Sequence, residues 1–129
     1  MKAKTLIDSL NYAFEGIIYG LKTQRNMKIH FLVAIIVLVA SLFLDLTRME
    51  ILILFLTISM VIVAEMINTS IESTIDLITD KYHVFAKTAK NVAAGAVLIA
   101  TINSIIVAYL IFFHRINQFT LQVLRHVRQ

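Results

Sequence analysis

The chain has 129 residues, of which 59% are hydrophobic, and its mean hydropathy of +0.83 excludes a soluble domain of this size. It contains no cysteine, which excludes disulfides, thiolate catalysis and cysteine-based metal sites, and its three glycines form no phosphate-binding loop. The net charge of +4 is spread along the chain, so it fits anionic lipid surfaces or phosphates better than nucleic acid. The sequence therefore predicts an all-α integral membrane protein.

The N-terminal segment, residues 5–21, is predicted to form an amphipathic surface helix. Its apolar residues recur at spacings of three and four: Ile7, Leu10, Phe14, Ile17 and Leu21. Such a helix lies in the membrane interface, with Tyr12 and Tyr19 as candidate interfacial anchors. A polar stretch with three cations, residues 22–28, follows it. These cations are either positive-inside residues or partners for phosphate.

Three apolar runs are long enough to cross a membrane, at about residues 29–46, 50–70 and 92–113. The second helix should continue to about residue 79, because its last turns are polar and project into water. His30, at the start of the first run, is expected to be a structural histidine of the interface. The three runs and the surface helix form one domain, residues 1–113, and residues 114–129 predict a basic amphipathic surface helix that is dispensable for chemistry.

The distribution of lysine and arginine predicts the topology. The basic segments at residues 22–28 and 76–91 place the N-terminus and the second loop in the cytoplasm, whereas the short turn at 45–50 faces outside. Three spans then put the C-terminal tail outside. The three arginines of this tail conflict with the positive-inside trend.

The second helix carries a ladder of polar side chains on one face. Glu65, Asn68, Glu72 and Asp76 fall within an arc of about 80° at 100° per residue. If Glu50 marks one interface, Glu65 lies about 22 Å along the helix, inside a hydrocarbon core about 30 Å thick. A carboxylate at this depth is a candidate functional group. A snorkelling acid or an interhelical hydrogen bond is the structural alternative.

The position of these acids beside two basic segments indicates phosphate chemistry. Carboxylates bind Mg²⁺, which bridges phosphate oxygens, and cations neutralise charge during phosphoryl transfer. Glu65 lies deeper in the membrane than the other acids of the ladder, so it is placed to accept a proton from a lipid hydroxyl.

Three motifs carry a family resemblance: Glu65-xx-Asn-xxx-Glu-xxx-Asp, Asp80-Lys-Tyr-His and Ala86-Lys-x-Ala-Lys-Asn-x-Ala-Ala-Gly-Ala-Val-Leu. Together they resemble the prokaryotic diacylglycerol kinase and undecaprenol kinase family, over roughly residues 10–113. The stretch Gln24-Arg-Asn-Met-Lys-Ile-His is similar to the corresponding segment of the Gram-positive undecaprenol kinase branch.

The resemblance implies a homotrimeric lipid kinase of the bacterial plasma membrane that uses ATP and Mg²⁺ at active sites shared between subunits. It implies that Glu65 is the general base, that Asn68 supports it at the lipid substrate, and that Glu72 and Gln24 face the metal. The positions it assigns to ATP binding are Tyr12, Gln24, Glu72, Tyr82, His83, Lys90 and Asn91. The chain departs from the family pattern twice: a metal-binding glutamate is replaced by Gln24, and a common aspartate by Asn91.

On this resemblance we expect transfer of the γ-phosphoryl group of ATP to the hydroxyl of undecaprenol, giving undecaprenyl phosphate. Diacylglycerol, giving phosphatidic acid, is the alternative acceptor. An alternative of another class is a non-enzymatic membrane protein or a small carrier with Glu65 as a proton relay. A carrier is expected to show inverted repeats or broken helices, and the sequence shows neither.

Overall fold

The computed structural model describes residues 5–127, with the side chains at 118, 119 and 121–127 left out of the description. This part of the chain forms four helices: α1 (Leu6–Thr23), α2 (Arg25–Ser41), α3 (Arg48–Ile78) and α4 (Val84–Val127). It contains no strand, which confirms the predicted all-α class. The central element is α3, which packs against each of the other three helices.

The first helix meets the second at a sharp bend. A capping box starts α1, because Thr5 accepts a hydrogen bond from the backbone of Asp8 and the Asp8 carboxylate accepts one from the backbone of Thr5. The chain then turns by 101° at Gln24, whose backbone is extended. Gly20 packs closely beside this bend: a Cβ there would lie 3.2 Å from the end of the Met27 side chain, which would have to shift slightly. The predicted helix at 5–21 is therefore present, and its axis is roughly perpendicular to that of α2.

Two helices, α3 and α4, are long and apolar enough to cross a membrane, and α2 adds a third if the bent pair counts as one span. With 17 residues, α2 is about 25 Å long, near the lower limit for crossing. The first span was predicted at 29–46, but the helix begins at Arg25 and ends at Ser41. It ends early because residues 42–45 form a turn in which Asp45 takes a left-handed conformation, with φ of 45°, that aspartate tolerates.

The third helix is close to its predicted bounds of 50–79. Thr47 caps it, and the Glu50 carboxylate accepts a hydrogen bond of 2.7 Å from the backbone of Thr47. Its 31 residues span about 46 Å, more than the hydrocarbon core of about 30 Å. The last turns of α3 therefore extend beyond the membrane, together with the side chains they carry.

The fourth helix is longer than predicted. It runs unbroken for 44 residues, so it begins eight residues before the predicted span at 92–113 and continues through the described part of the predicted tail. His83 starts it, since the Phe85 backbone N–H donates to His83 Nδ1 at 3.3 Å. The segment contains no proline and one glycine, Gly95, and its lysines favour helix, so nothing in it ends the helix at 92 or 114. The tail is thus a continuation of α4 instead of a separate surface helix.

An ion pair joins the beginning of α3 to α4 near the tail. Arg115 donates from Nε to Glu50 Oε1 at 3.0 Å and from Nη2 to Glu50 Oε2, and the two side chains are only 18% and 19% exposed. The pair puts the tail at the same end of the molecule as the turn at 42–47, as three spans require. It also neutralises one of the three tail arginines that conflict with the positive-inside trend.

This ion pair predicts an effect on stability. We expect Arg115→Met, which keeps most of the aliphatic stem, to lower the Tm of the detergent-solubilised protein by about 5 °C, because the Glu50 carboxylate loses its charged partner and keeps only its contacts with Thr47. The same substitution in a Glu50→Ala background should change Tm little, because the interaction is already absent. Equal shifts in both backgrounds, measured by thermal unfolding, would show that the pair contributes nothing.

Candidate active site

Three members of the polar ladder of α3 line a cavity of about 310 Å³ that we call the acidic cavity, whereas the fourth, Asp76, lines a second cavity described below. Three helices line it, and the polar groups come from α2 and α3 together with one threonine of α4. Its lining residues are Asn26, Ile29, His30, Glu65, Asn68, Glu72, Ala94, Val97, Leu98 and Thr101. The prediction that Glu65, Asn68 and Glu72 share one face of α3 is therefore confirmed, because all three side chains line the same cavity.

Two oxygens in the acidic cavity are buried without a partner. Glu65 is 2% exposed, and its Oε2 has no hydrogen-bond partner in the part of the chain that the structure describes. Asn68 is 5% exposed; its Nδ2 donates to Glu72 Oε1 at 3.2 Å, but its Oδ1 is unpartnered. A buried polar atom left unpaired costs about 1–3 kcal/mol. A ligand that supplies a proton donor or a cation to these oxygens recovers that cost.

A second cavity, of about 350 Å³, follows the acidic cavity along α3 and α4, and we call it the loop-end cavity. It lies where α3 ends and α4 begins, and three of its side chains are lysines. Its lining residues are Ile75, Asp76, Thr79, Asp80, Lys81, Tyr82, His83, Ala86, Lys87, Lys90 and Asn91. Four of the predicted ATP-binding residues are among them, so the structure brings these four together.

Two residues of the loop-end cavity have defined partners. Lys90 forms an ion pair with Asp76 across α3 and α4. His83 Nδ1 accepts the capping hydrogen bond from Phe85, so the proton of a neutral His83 ring is on Nε2, which is then a donor. The cavity therefore presents three lysine ammonium groups and an imidazole N–H, donors that suit phosphate oxygens, beside the carboxylates of Asp76 and Asp80.

The oxygens of the acidic cavity fit Mg²⁺, a hard cation that prefers oxygen ligands. Glu72 offers a carboxylate, and Asn68 Oδ1 offers an amide oxygen that lacks a partner. Among the side chains that the structure describes, no group of three His, Cys, Asp or Glu residues could hold a metal ion. Mg²⁺ is usually bound by one or two carboxylates together with substrate phosphates and water.

Comparison with known proteins identifies the family. The family model described as prokaryotic diacylglycerol kinase matches residues 11–112. The chain belongs to the prokaryotic diacylglycerol kinase family. The family that the three motifs predicted is thereby confirmed.

Three relatives bear kinase names. The chain is 42% identical over 106 residues to a protein named diacylglycerol kinase in Synechocystis sp., an alignment that covers 81% of this chain and 61% of the relative. It is 41% identical over 108 residues to a protein named undecaprenol kinase in Bacillus subtilis, covering 84% and 88%. It is 25% identical over 101 residues to the diacylglycerol kinase of Escherichia coli strain K12, covering 78% and 83%. The match thus spans less than two thirds of the Synechocystis protein.

Two of the residues predicted from the family pattern lie apart from both cavities. Tyr12 is 40% exposed on α1, and Gln24 is partly buried at the bend between α1 and α2. Neither lines the acidic cavity or the loop-end cavity. Gln24 and Glu72 of the same chain therefore do not line a common cavity. The role of Gln24 as a metal ligand stays a prediction.

Two polar residues that α2 contributes to the acidic cavity had no role in the site predicted from the sequence. Asn26 and His30 line it from α2, opposite the carboxylates of α3. His30 was expected to be a structural histidine of the interface, whereas the structure adds it to the cavity wall. The two residues are four apart and so share one helix face. That spacing was visible in the sequence, but which face of α2 meets α3 depends on the bend at Gln24.

Proposed function

We propose that this protein is a membrane lipid kinase that transfers the γ-phosphoryl group of ATP to the hydroxyl of a lipid alcohol. One observation carries the proposal: the order of chemical groups along one face of α3. Buried Glu65 comes first, Glu72 follows two turns later, and the cationic loop-end cavity lies beyond it. This order puts a carboxylate at membrane depth and phosphate-binding groups nearer the water.

The three polar residues that α3 contributes to the acidic cavity have stated roles in this proposal. Glu65 accepts the proton of the lipid hydroxyl while the hydroxyl oxygen attacks the γ-phosphorus; the bond from this phosphorus to the bridging oxygen of the β-phosphate breaks, and ADP leaves. Burial keeps water away from the Glu65 carboxylate. Glu72 and Asn68 Oδ1 hold Mg²⁺ together with the phosphates. When bound, Mg²⁺ neutralises charge on the phosphate oxygens.

The loop-end cavity receives the nucleotide in this proposal. Its lysines attract the triphosphate, and the phosphate oxygens compete with Asp76 for Lys90. Tyr82 is 77% exposed at the same cavity, which leaves its ring accessible to the nucleotide. Because cellular ATP is cytoplasmic, the proposal places this loop and the N-terminus in the cytoplasm and the protein in a bacterial plasma membrane, in agreement with the lysine and arginine distribution.

We further propose a homotrimer with shared active sites. Support comes from Tyr12 and Gln24, which the family pattern assigns to the nucleotide and the metal but which lie apart from the loop-end and acidic cavities of their own chain. A neighbouring subunit is the natural place for them to act. Crosslinking of the protein in native membranes should give a ladder that ends at three subunits.

Undecaprenol is the acceptor that we favour. The relative named undecaprenol kinase is matched over 88% of its length, against 61% for the relative named diacylglycerol kinase in Synechocystis. The segment Gln24–His30, which also resembles the undecaprenol-type branch, contributes three residues to the acidic cavity wall, Asn26, Ile29 and His30. Diacylglycerol remains the second candidate, because it gives the family its name.

A competition assay tests both the kinase activity and the acceptor. Purified protein receives Mg²⁺, labelled ATP, and undecaprenol and diacylglycerol at equal mole fraction in the same detergent micelles. We expect undecaprenyl phosphate to form about tenfold faster than phosphatidic acid, a difference of about 1.4 kcal/mol in transition-state binding. A preference for diacylglycerol overturns the acceptor but leaves the kinase proposal standing. Failure to phosphorylate either lipid overturns the kinase proposal.

A further inference from the structure

A third cavity, of about 430 Å³, lies between the surface helix α1 and α3, and we call it the hydroxyl cavity. Its polar lining consists of five side-chain hydroxyl groups, those of Tyr19, Thr69, Ser70, Ser73 and Thr74. Among the described residues that line it, none is a lysine, an arginine, a histidine or a carboxylate. Such a wall suits an uncharged ligand, because a phosphate or an ammonium group would find no opposite charge in it.

The hydroxyl cavity is separate from the proposed site of phosphoryl transfer. Ser70, Ser73 and Leu77 lie within about 60° of one another on α3, and about 100–160° around the helix axis from Glu72. The wall opposite α3 comes from α1 and from Met27, whereas the acidic cavity is lined by α2, α3 and α4. The hydroxyl cavity shares no lining residue with the acidic cavity or the loop-end cavity.

One hydroxyl of this cavity is buried without a partner. Thr69 is 7% exposed, and its Oγ1 has no hydrogen-bond partner within the described part of the chain. A helical threonine can donate to the carbonyl four residues earlier, as Thr74 does to Ser70 at 2.7 Å, but Thr69 makes no such bond. A buried polar atom left unpaired is unfavourable. Thr69 therefore favours a ligand that donates and accepts hydrogen bonds, as a hydroxyl group does.

The cavity crosses the boundary between hydrocarbon and water. It runs along α3 from Met66, which follows the buried Glu65, to Leu77, about 16 Å nearer the loop between α3 and α4. The thioether of Met66 gives the deeper end an apolar wall, whereas Ser73, towards the other end, is exposed. A membrane lipid has the same polarity order, with its hydrocarbon deeper than its headgroup.

We propose that the hydroxyl cavity binds the uncharged, hydroxylated headgroup of a membrane lipid, such as the sugar of a monoglucosyl diacylglycerol. This inference goes beyond the proposed kinase function. The ligand is not the phosphoryl acceptor, because the cavity lies on a different face of α3 from Glu65 and Glu72. A headgroup bound there connects α1 to α3 through the hydroxyl groups of Tyr19 and Thr69.

Labelling of an introduced thiol tests the inference, because the chain contains no cysteine. Ser73→Cys puts a single thiol at an exposed position of the cavity, in protein reconstituted into phosphatidylcholine vesicles with or without monoglucosyl diacylglycerol. We expect the glycolipid to slow the reaction with a water-soluble maleimide about tenfold when its concentration is about ten times Kd. Phosphatidylglycerol, whose hydroxylated headgroup is charged, should leave the rate within about twofold. Labelling of Asn11→Cys, exposed on α1 outside the cavity, should not respond to the glycolipid.

Two substitutions in the Ser73→Cys background connect the protection to this cavity. Thr69→Val removes the unpartnered hydroxyl and keeps the shape of the side chain, so the glycolipid concentration for half-protection should rise about fivefold or more. Gly16→Leu fills the cavity from α1, where an added Cβ meets no listed neighbour within 4 Å, and should abolish the protection. Asn11→Leu, on another face of α1, is the matched control and should preserve it.

The inference is overturned by absence of protection, by equal protection from phosphatidylglycerol, or by protection that survives both Thr69→Val and Gly16→Leu. It is also overturned if the thiol of the Ser73→Cys protein does not react in phosphatidylcholine alone, since another subunit then covers the cavity. Labelling requires no phosphoryl transfer. A failure of this inference therefore leaves the kinase proposal standing, and a failure of the kinase proposal leaves this test valid.

Discussion

Glu65→Gln is expected to lower kcat by about 10²-fold or more, the usual scale for loss of a general base. Glutamine keeps the size and the polarity of the side chain but does not accept the proton of the lipid hydroxyl. Glu65 is 2% exposed in the acidic cavity, so bulk water does not readily replace it as the base. The measurement is single-turnover phosphorylation of the lipid in micelles at saturating ATP and Mg²⁺.

The same variant should fold and assemble normally. Because Glu65 Oε2 has no hydrogen-bond partner within the described part of the chain, the substitution removes no contact to that atom. The free energy of unfolding should therefore stay equal or rise, since a neutral amide costs less to bury than a carboxylate. Glu15→Gln, at an exposed position on α1, is the matched control and should keep full activity. Near-normal turnover by a folded Glu65→Gln protein would remove Glu65 from the reaction.

Local patterns in the sequence predicted α3 well. Its bounds were predicted from an unbroken apolar run with polar last turns, and the polar face at Glu65, Asn68 and Glu72 follows from the helical repeat. The bounds and the polar face are both properties of a single helix, so they can be predicted from the residues of that helix alone. The bounds of α4 were harder to predict, because its lysines were assigned to a loop between spans although lysine is compatible with helix.

The walls of the cavities depend on contacts between helices, and this is where prediction from the sequence stopped. Asn26 and His30 reach the acidic cavity because the chain turns by 101° at Gln24 and sets one face of α2 against α3. No residue type signals such an angle. The pairing of Glu50 with Arg115 likewise joins residues 65 positions apart, and it depends on α4 continuing past the predicted end of its span.

Glu72→Ala is expected to raise the half-saturating Mg²⁺ concentration about tenfold or more at fixed ATP, a change of at least about 1.4 kcal/mol in metal binding. Glu72 is the carboxylate of the acidic cavity nearer the water, about 10 Å along α3 from Glu65. Its removal also leaves Asn68 Nδ2 without its acceptor. In the proposed site, Mg²⁺ is held by the phosphates and by one protein carboxylate. We expect weaker Mg²⁺ binding because Glu72→Ala removes that carboxylate.

Two comparisons separate a metal ligand from a merely structural acid. Glu72→Gln keeps an oxygen that can accept the Asn68 hydrogen bond but removes the charge, so it should resemble Glu72→Ala in Mg²⁺ dependence while retaining the wild-type Tm. The KM for the lipid should stay within about twofold in both variants, because the proposed position of the acceptor hydroxyl is at Glu65, two helical turns away. If Glu72→Gln restores the Mg²⁺ dependence of wild type, the function of Glu72 is to orient Asn68. If neither variant changes the Mg²⁺ dependence, the metal is bound by other groups, and Gln24 of a neighbouring subunit becomes the next position to replace.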